Sequence, residues 1–251
     1  MLFRVEGRIL KGFVEMADAY AVDELCVDVD AENGKLVLGS LDPAHVVAIQ
    51  WVHKEKYVPD SDDESGKRSF ALDVGTDLCH AAKNINKGDI VELDIRESNV
   101  ELRVYSDRTN TVVKRFIMQQ FNPDTGNRIE NLPETPTSTI IRVDRKMLLD
   151  AVKMVGKEFE VCVLEYSDGI LSVYNHVTSE IVRRTDIQQY AEPGAAAYSK
   201  ALYGTTYLLN MLSKIDVKNV VLAFATDYPL KVEYSDKNDN IAVFLAPRIE
   251  A

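Results

Sequence analysis

The sequence has no long apolar run. No uninterrupted stretch exceeds six residues, the length of Val220 to Ala225, where a membrane-spanning helix needs about 20. The N-terminal stretch is broken by Arg4, Glu6 and Arg8, so it lacks the apolar core of a secretory signal, and no Asn-x-Ser/Thr acceptor occurs. Export is not expected. Cysteine is scarce: Cys26, Cys79 and Cys162 are odd in number and too widely spaced for a ligand motif. They read as small core residues in a reducing cytosol or nucleus rather than as a disulfide framework or a metal site.

Glycine is present twelve times, yet no two glycines are separated by a single residue, which excludes a dinucleotide-binding turn. Gly34-Lys35, Gly66-Lys67 and Gly156-Lys157 are not followed by Ser or Thr, so no phosphate loop for a triphosphate is expected. His45, His53, His80 and His176 have no His-x-x-x-His companions, and no Gly-x-Ser-x-Gly elbow occurs. These absences favour a binding role over an enzyme, with no cofactor and no metal. The net charge of −11 also excludes a surface that attracts nucleic acid or acidic lipid all over.

With 46% hydrophobic and 27% charged residues, the chain has the makeup of a folded protein large enough for two modest cores. Pro123, Pro133 and Pro136 fall inside the polar stretch Gln119 to Thr139, which can continue neither a helix nor a ladder. Residues 1–118 and 138–251 are therefore expected as two domains, joined by a linker at 119–137. The halves match each other. At an offset of 135, Lys11 falls on Lys146, Phe13 on Leu148, Val14 on Leu149, Ala17 on Val152, Gly34 on Gly169, Leu36 on Leu171 and Leu38 on Val173. At an offset of 130, Leu78 falls on Leu208, Ala82 on Leu212, Ile85 on Ile215 and Ile90 on Val220. A tandem duplication is indicated.

Apolar spacings of three and four predict helices at Ile9 to Tyr20, Gly75 to Ile85, Arg145 to Val155 and Thr206 to Ile215. Alternating or β-rich stretches predict strands at Leu25 to Val29, Lys35 to Gly39, Val46 to Val52, Ile90 to Ile95, Val100 to Ser106 and Val112 to Ile117 in the first half. The second half has them at Phe159 to Tyr166, Leu171 to Tyr174, Ile181 to Arg184, Val220 to Ala225, Leu230 to Tyr234 and Ile241 to Leu245. Hairpin turns fit Asn33-Gly34, Lys87-Gly88-Asp89 and Asp168-Gly169. The expected fold class is α+β: two similar domains of antiparallel sheets, each with two helices on one face. Asp60 to Gly66 reads as a solvated acidic loop.

Basic residues gather on the polar sides of the helices. Arg145 and Lys146 open the third, with Lys153 and Lys157 further along; the second leaves His80, Lys83 and Lys87; the fourth leaves Asn210, Lys214 and Lys218; the first offers Lys11. Taken singly, such lysines complement helix dipoles. Taken together they suggest a basic helical surface with an acidic sheet back, able to hold duplex DNA through sequence-independent phosphate contacts. Given the overall negative charge, such a face works best if concave or closed around the duplex.

Three segments carry a resemblance. Phe244 to Glu250 (FLAPRIE), Asp227 to Tyr234 (DYPLKVEY) and Leu41 to Val46 (LDPAHV) are similar to signatures of the DNA sliding clamp family of proliferating cell nuclear antigen, and the likeness covers essentially the whole chain. The close at Ala251 is more archaeal than eukaryotic in style, which implies a cytoplasmic setting on chromosomal DNA; a eukaryotic source would place it in the nucleus. The resemblance implies a trimeric ring with helices lining the central hole. It implies a processivity factor without catalysis of its own, opened by a clamp loader and tethering DNA polymerase, flap endonuclease and DNA ligase through short peptide motifs.

The DNA contacts expected from the basic helix faces are Lys11, Lys83, Lys87, Arg145, Lys146, Lys153, Lys157, Lys214 and Lys218, and the resemblance agrees in lining a central hole with helices. It places partner binding at Leu41, His45, Val46, Ile129, Leu132, Tyr228, Pro229, Phe244, Leu245, Ala246 and Pro247. Subunit contact would join Thr111, Val113, Arg115 and Ile117 to Val177, Ile181 and Arg183 of a neighbour, since edge strands pair head to tail. The family pattern is not kept everywhere: Gly12 stands where many relatives have a second lysine, and the linker is longer and less acidic, with Arg128 in it. The competing expectation is a protein-interaction scaffold of the same fold that never encircles DNA.

Overall fold

The structure, a computed structural model, describes residues 1–55, 66–123, 132, 139–177, 180–188 and 198–249. Most of the acidic stretch at 60–66, as well as Ile129, lies outside them. The chain forms two compact units, Met1–Glu130 with Ser235–Ile241 and Asn131–Tyr234 with Ala242–Ala251.

The first half runs β1 (Leu2–Glu6), α1 (Gly7–Ala19), β2 (Glu24–Asp30), β3 (Lys35–Leu41), β4 (Val47–Lys54) and β5 (Lys67–Asp73). A π-helical turn at Val74–Leu78 then leads into α2 (Cys79–Lys83), followed by β6 (Ile90–Ile95), β7 (Asn99–Tyr105) and β8 (Val112–Gln119). The second half repeats the order: β9 (Thr139–Asp144), α3 (Arg145–Val155), β10 (Val161–Ser167), β11 (Ile170–Val177), β12 (Glu180–Gln188), β13 (Tyr198–Gly204), α4 (Thr205–Lys214), β14 (Asn219–Phe224), β15 (Leu230–Asp236) and β16 (Asp239–Leu245).

Sheet order repeats as well. β1-β6-β7-β8 and β5-β2-β3-β4 of the first half correspond to β9-β14-β15-β16 and β13-β10-β11-β12 of the second. The residues that matched in sequence occupy equivalent environments. Phe13 and Leu148 are both buried under their helices, and Leu36 and Leu171 are both buried on their strands. Gly34 and Gly169 both sit at positive φ, 57° and 83°, in the β2–β3 and β10–β11 turns. In the latter, Asp168 also has φ of 51°, so the two-residue loop has the backbone that a right-twisted hairpin prefers.

Each helix is one-sided for a local reason. In α1, Ile9, Leu10, Phe13, Val14, Met16 and Ala17 are buried, and each large side chain so placed contributes about 1.5–3 kcal/mol. The Asp144 carboxylate accepts from the backbone N–H of Lys146 and Met147 at 2.9 and 3.0 Å, starting α3, and Gly156 at φ 91° ends it. Asp73 does the same before α2, accepting from Thr76 N at 2.6 Å.

Four strands that the apolar pattern does not reveal are present: β1, β5, β9 and β13. Each runs directly into a helix with no intervening turn, so strand and helix patterns fuse. In β5 and β13 consecutive buried residues also mask the alternation, as at Phe70, Ala71 and Leu72. A second correction concerns Lys87-Gly88-Asp89. It makes a turn, with Gly88 at φ 100°, but it links α2 to β6 and is not a hairpin. All three cysteines are buried, and burial pushes the Cys162 thiol up to about 12.

Candidate functional site

The basic helix residues separate into two kinds. Lys11 is half-buried and its Nζ donates to Ile85 O at 3.0 Å. Arg145 is also half-buried, with Nε and Nη1 directed at Val217 O and Leu212 O at 3.4 and 3.5 Å. In each unit a basic side chain from the first helix therefore satisfies carbonyls in and after the last turn of the second, where the helix dipole is negative. These two are committed to structure. Lys83, Lys87, Lys146, Lys153, Lys157 and Lys218 are exposed and Lys214 half-exposed. Lys153 lies 3.8 Å from Asp150 one turn earlier, with both side chains more than half exposed, so that pair holds little energy and leaves the amine available.

The strands proposed to meet a neighbour are both at sheet edges: β8 ends the order β1-β6-β7-β8, and β12 ends β12-β11-β10-β13. On β8, Val113 and Ile117 are 49% and 64% exposed. An apolar edge strand left open is an aggregation hazard unless something covers it. Arg115, also exposed, lies 4.0 Å from Glu101. The hydrogen bond from Arg103 is the main cause holding the Glu101 carboxyl below its ordinary range. Thr111 directly precedes β8, and its carbonyl accepts from Ser106 N at 3.0 Å. The pairing shifts between Val104/Lys114 and Tyr105/Val112, so Val113 is a bulge residue without a partner on β7. Val177, Ile181 and Arg183 belong to the β11–β12 hairpin, where His176 pairs with Ile181 and Val177 with Glu180.

The partner-binding candidates are unevenly available. Leu41 and Val46 are half-buried and His45 is exposed in the β3–β4 turn. Asp42 builds that turn: its buried carboxylate accepts from Val46 N and Val47 N, both at 2.6 Å. His45 is held at φ 56°, an uncommon conformation for a residue with a side chain. In the second unit Tyr228 is exposed while Pro229, Ala246 and Pro247 are half-buried. The Tyr203 hydroxyl donates to Tyr228 O at 2.8 Å and fixes that turn. Phe244 and Leu245 are core residues, 5% and 0% exposed, so their side chains serve the fold and not a partner. Strict alternation along β16 does not predict this, because the five consecutive residues Ile241 to Leu245 are all buried. Leu132 is half-buried.

Two features escaped the sequence pattern. Gln120, at the start of the linker, donates through its amide to Arg96 O and Asn99 O at 2.9 and 3.0 Å, and Phe121 bridges Ala71, so the chain beyond β8 is fastened to the first unit. The other is a buried cluster: His53 Nδ1 lies 2.7 Å from Asp239 Oδ1, which also accepts from Trp51 Nε1 at 2.8 Å. Burial by itself would lower the His53 pKa, but the hydrogen bond and charge of Asp239, with Glu55 adding to them, hold it above the ordinary value.

No protein-family model matches the chain. Along its whole length it is similar to the "DNA polymerase sliding clamp" of Methanococcus maripaludis, 24% identical over 250 residues that cover 94% of each protein. The chain is a homologue of the archaeal sliding clamps. Solved clamps of proliferating cell nuclear antigen type share the fold: A. fulgidus PCNA bound to the C-terminal region of FEN-1 superimposes with a TM-score of 0.80 at 17% identity, covering 100% and 99% of the two chains. The PCNA2-PCNA3 complex of Sulfolobus tokodaii gives 0.77 at 16% identity, with 100% of both chains covered. In this sliding-clamp homologue Gly12 is half-buried on α1 and supplies no charge beside Lys11, so α1 presents no exposed lysine, whereas α3 presents Lys146 and Lys153. No described helix is long and apolar enough to cross a membrane.

Proposed function

We propose that this chain is a DNA polymerase processivity factor, a sliding clamp of which three copies close head to tail around duplex DNA. The observation that carries this reading is the internal repeat: both units have the same order of strands and helices and the same sheet order, and exposed lysines sit on α2, on α3 and in the turns that follow α2, α3 and α4. Whole-length similarity to archaeal clamps supports it. Closure would bring β8 of one copy against β12 of the next, covering the exposed Val113 and Ile117 with backbone and apolar contacts.

DNA contact is assigned to Lys83, Lys87, Lys146, Lys153, Lys157, Lys214 and Lys218, each a salt-sensitive phosphate contact without base preference. Lys11 and Arg145 support the same surface indirectly, by holding the helix ends. Partner peptides such as the one carried by FEN-1 would be met by the accessible members of the candidate set, Leu41, His45, Val46, Leu132, Tyr228, Pro229, Ala246 and Pro247, together with Ile129. A clamp loader, DNA polymerase and DNA ligase are proposed on the same basis. The chain acts by tethering and not by catalysis, with residues 119–137 as the linker between its domains. The test is retention on DNA circles. A topologically linked protein stays on a closed circle in high salt and is lost when the circle is cut; equal retention on both, or on neither, would favour the scaffold that never encircles DNA.

A further inference from the structure

The sheet face of the first unit is not uniformly acidic. Register places Lys67, Asp30, Lys35 and Lys54 side by side across β5, β2, β3 and β4, three lysines against one aspartate. Lys35 and Lys54 are direct cross-strand partners, an arrangement that costs stability because like charges oppose each other on one face. Asp30, the one carboxylate in the row, is paired across the strands with Lys35 and Lys67, is hydrogen-bonded by Asn33 at 2.9 Å and lies 3.8 Å from Lys67. In a protein of net charge −11, three lysines to one aspartate in a row across the described strands call for an explanation.

The row borders a recess of about 480 Å³ lined by Lys35, Val52, Lys54, Lys237 and the polar side chains of Asn238 and Asn240. The hairpin that supplies the last three is anchored, since Lys54 N donates to Asn238 O at 2.9 Å. Asp239, the acid in the wall, is buried and turned to Trp51 and His53, and Lys237 reaches Glu6 at 2.7 Å while remaining 75% exposed. The recess is thus lined by one aliphatic side chain, Val52, by three lysines and by Ser235, Asn238 and Asn240, with Ser235 Oγ donating to Asn240 Oδ1 at 3.4 Å.

We propose that this recess binds an acidic peptide segment of a partner protein, its carboxylates on Lys35, Lys54 and Lys237 and one apolar side chain over Val52. Charge complementarity selects an anionic occupant, and the composition of the recess selects a peptide over a nucleic acid strand. Asn238 and Asn240 can both donate to and accept from a peptide backbone. A nucleic acid strand needs a continuous basic track with stacking platforms, whereas here Asp30 and Asp28 interrupt the track on the neighbouring strand and the residues lining the recess include no aromatic ring. The recess shares no residue with the helix lysines or with the residues assigned to partner peptides above, and does not depend on ring closure.

The experiment uses the full chain and a fluorescein-labelled decapeptide of Glu and Asp with one central Leu. Its Gln and Asn counterpart and a single-stranded DNA 10-mer serve as comparison probes, and binding is followed by anisotropy at low salt. The double variant Lys35→Gln, Lys54→Gln should weaken the acidic peptide about tenfold, leave DNA binding unchanged, and not lower the urea midpoint read from Trp51. Lys146→Gln with Lys153→Gln should leave the peptide affinity unchanged. In the unaltered protein, amide resonances of Lys35, Val52, Lys54 and Asn238 should shift on peptide addition. Unchanged peptide affinity in the Lys35, Lys54 variant, an equal loss of DNA affinity, or resonance shifts confined to other residues would each overturn the proposal.

Discussion

Replacing Asp239 by Asn removes one negative charge from a buried site and little else. The carboxylate is 6% exposed and accepts from both Trp51 Nε1 and His53 Nδ1, at 2.8 and 2.7 Å. His53 Nε2 lies 3.5 Å from Glu55, whose carboxylate also takes the Arg4 N–H at 2.8 Å. Breaking a buried charged pair by removing one partner costs about 3–5 kcal/mol. Here the imidazole can release its proton instead of staying charged and unpaired, so the expected loss is about 2–3 kcal/mol at pH 6. Its pH dependence has a definite sign. The folded-state pKa of His53 is raised, so between the unfolded value near 6.5 and the higher folded value the native state binds more protons. The stability it contributes is complete below about pH 6.5 and falls as pH rises through the folded pKa. Trp51 is the single tryptophan and sits in the cluster, its ring 6.3 Å from His53, so urea unfolding followed by its fluorescence reports this unit. The gap in stability between the wild-type protein and Asp239→Asn should narrow from pH 6 to pH 9. A gap that stays constant across that range would show that His53 is not protonated in the folded state.

Reversing Lys83, Lys146, Lys153 and Lys214 to Glu together should reduce polymerase processivity and flatten its salt dependence, while any single alanine changes little; unchanged processivity in the fourfold variant with an intact ring would remove DNA from that surface. At the edge strand, proline at Val113 is a poor probe, because a bulge residue without a β7 partner tolerates it. Val113→Asp with Ile117→Asp should instead cost about 1.5–3 kcal/mol per buried side chain in assembly and yield folded monomers by analytical ultracentrifugation, a result that an intact trimer at micromolar concentration would contradict. Ile129→Ser with Leu132→Ser should weaken a clamp-binding peptide by about 2 kcal/mol through lost apolar burial, and full affinity by calorimetry would place the peptide elsewhere.

Most of the fold was readable because the repeat is carried by residues that face inward. Phe13 and Leu148, or Leu36 and Leu171, fill equivalent core positions, and burial keeps such positions apolar in both halves. The four strands β1, β5, β9 and β13 were not readable, since each passes into a helix without the turn residues that would separate period two from period three and a half. Among the site residues, spacing identifies which lysines lie on a polar helix face but not what each one touches. Lys11 and Arg145 look like Lys83 and Lys153 in sequence, yet only the first two reach carbonyls at the end of a neighbouring helix.

The linear pattern by itself determined the duplication, the helix phases, the absence of nucleotide and metal motifs, and the clustering of basic residues on helices within an acidic chain. These depend on local periodicity and composition, which act within a few residues. Tertiary structure alone decided which strands end their sheets, that Phe244 and Leu245 are core, that Asp239 reaches across to Trp51 and His53, 188 and 186 residues distant in sequence, and that Lys35 and Lys54 stand opposite each other. Register and long-range pairing are set by how whole strands settle against one another, and no short stretch of sequence records that outcome.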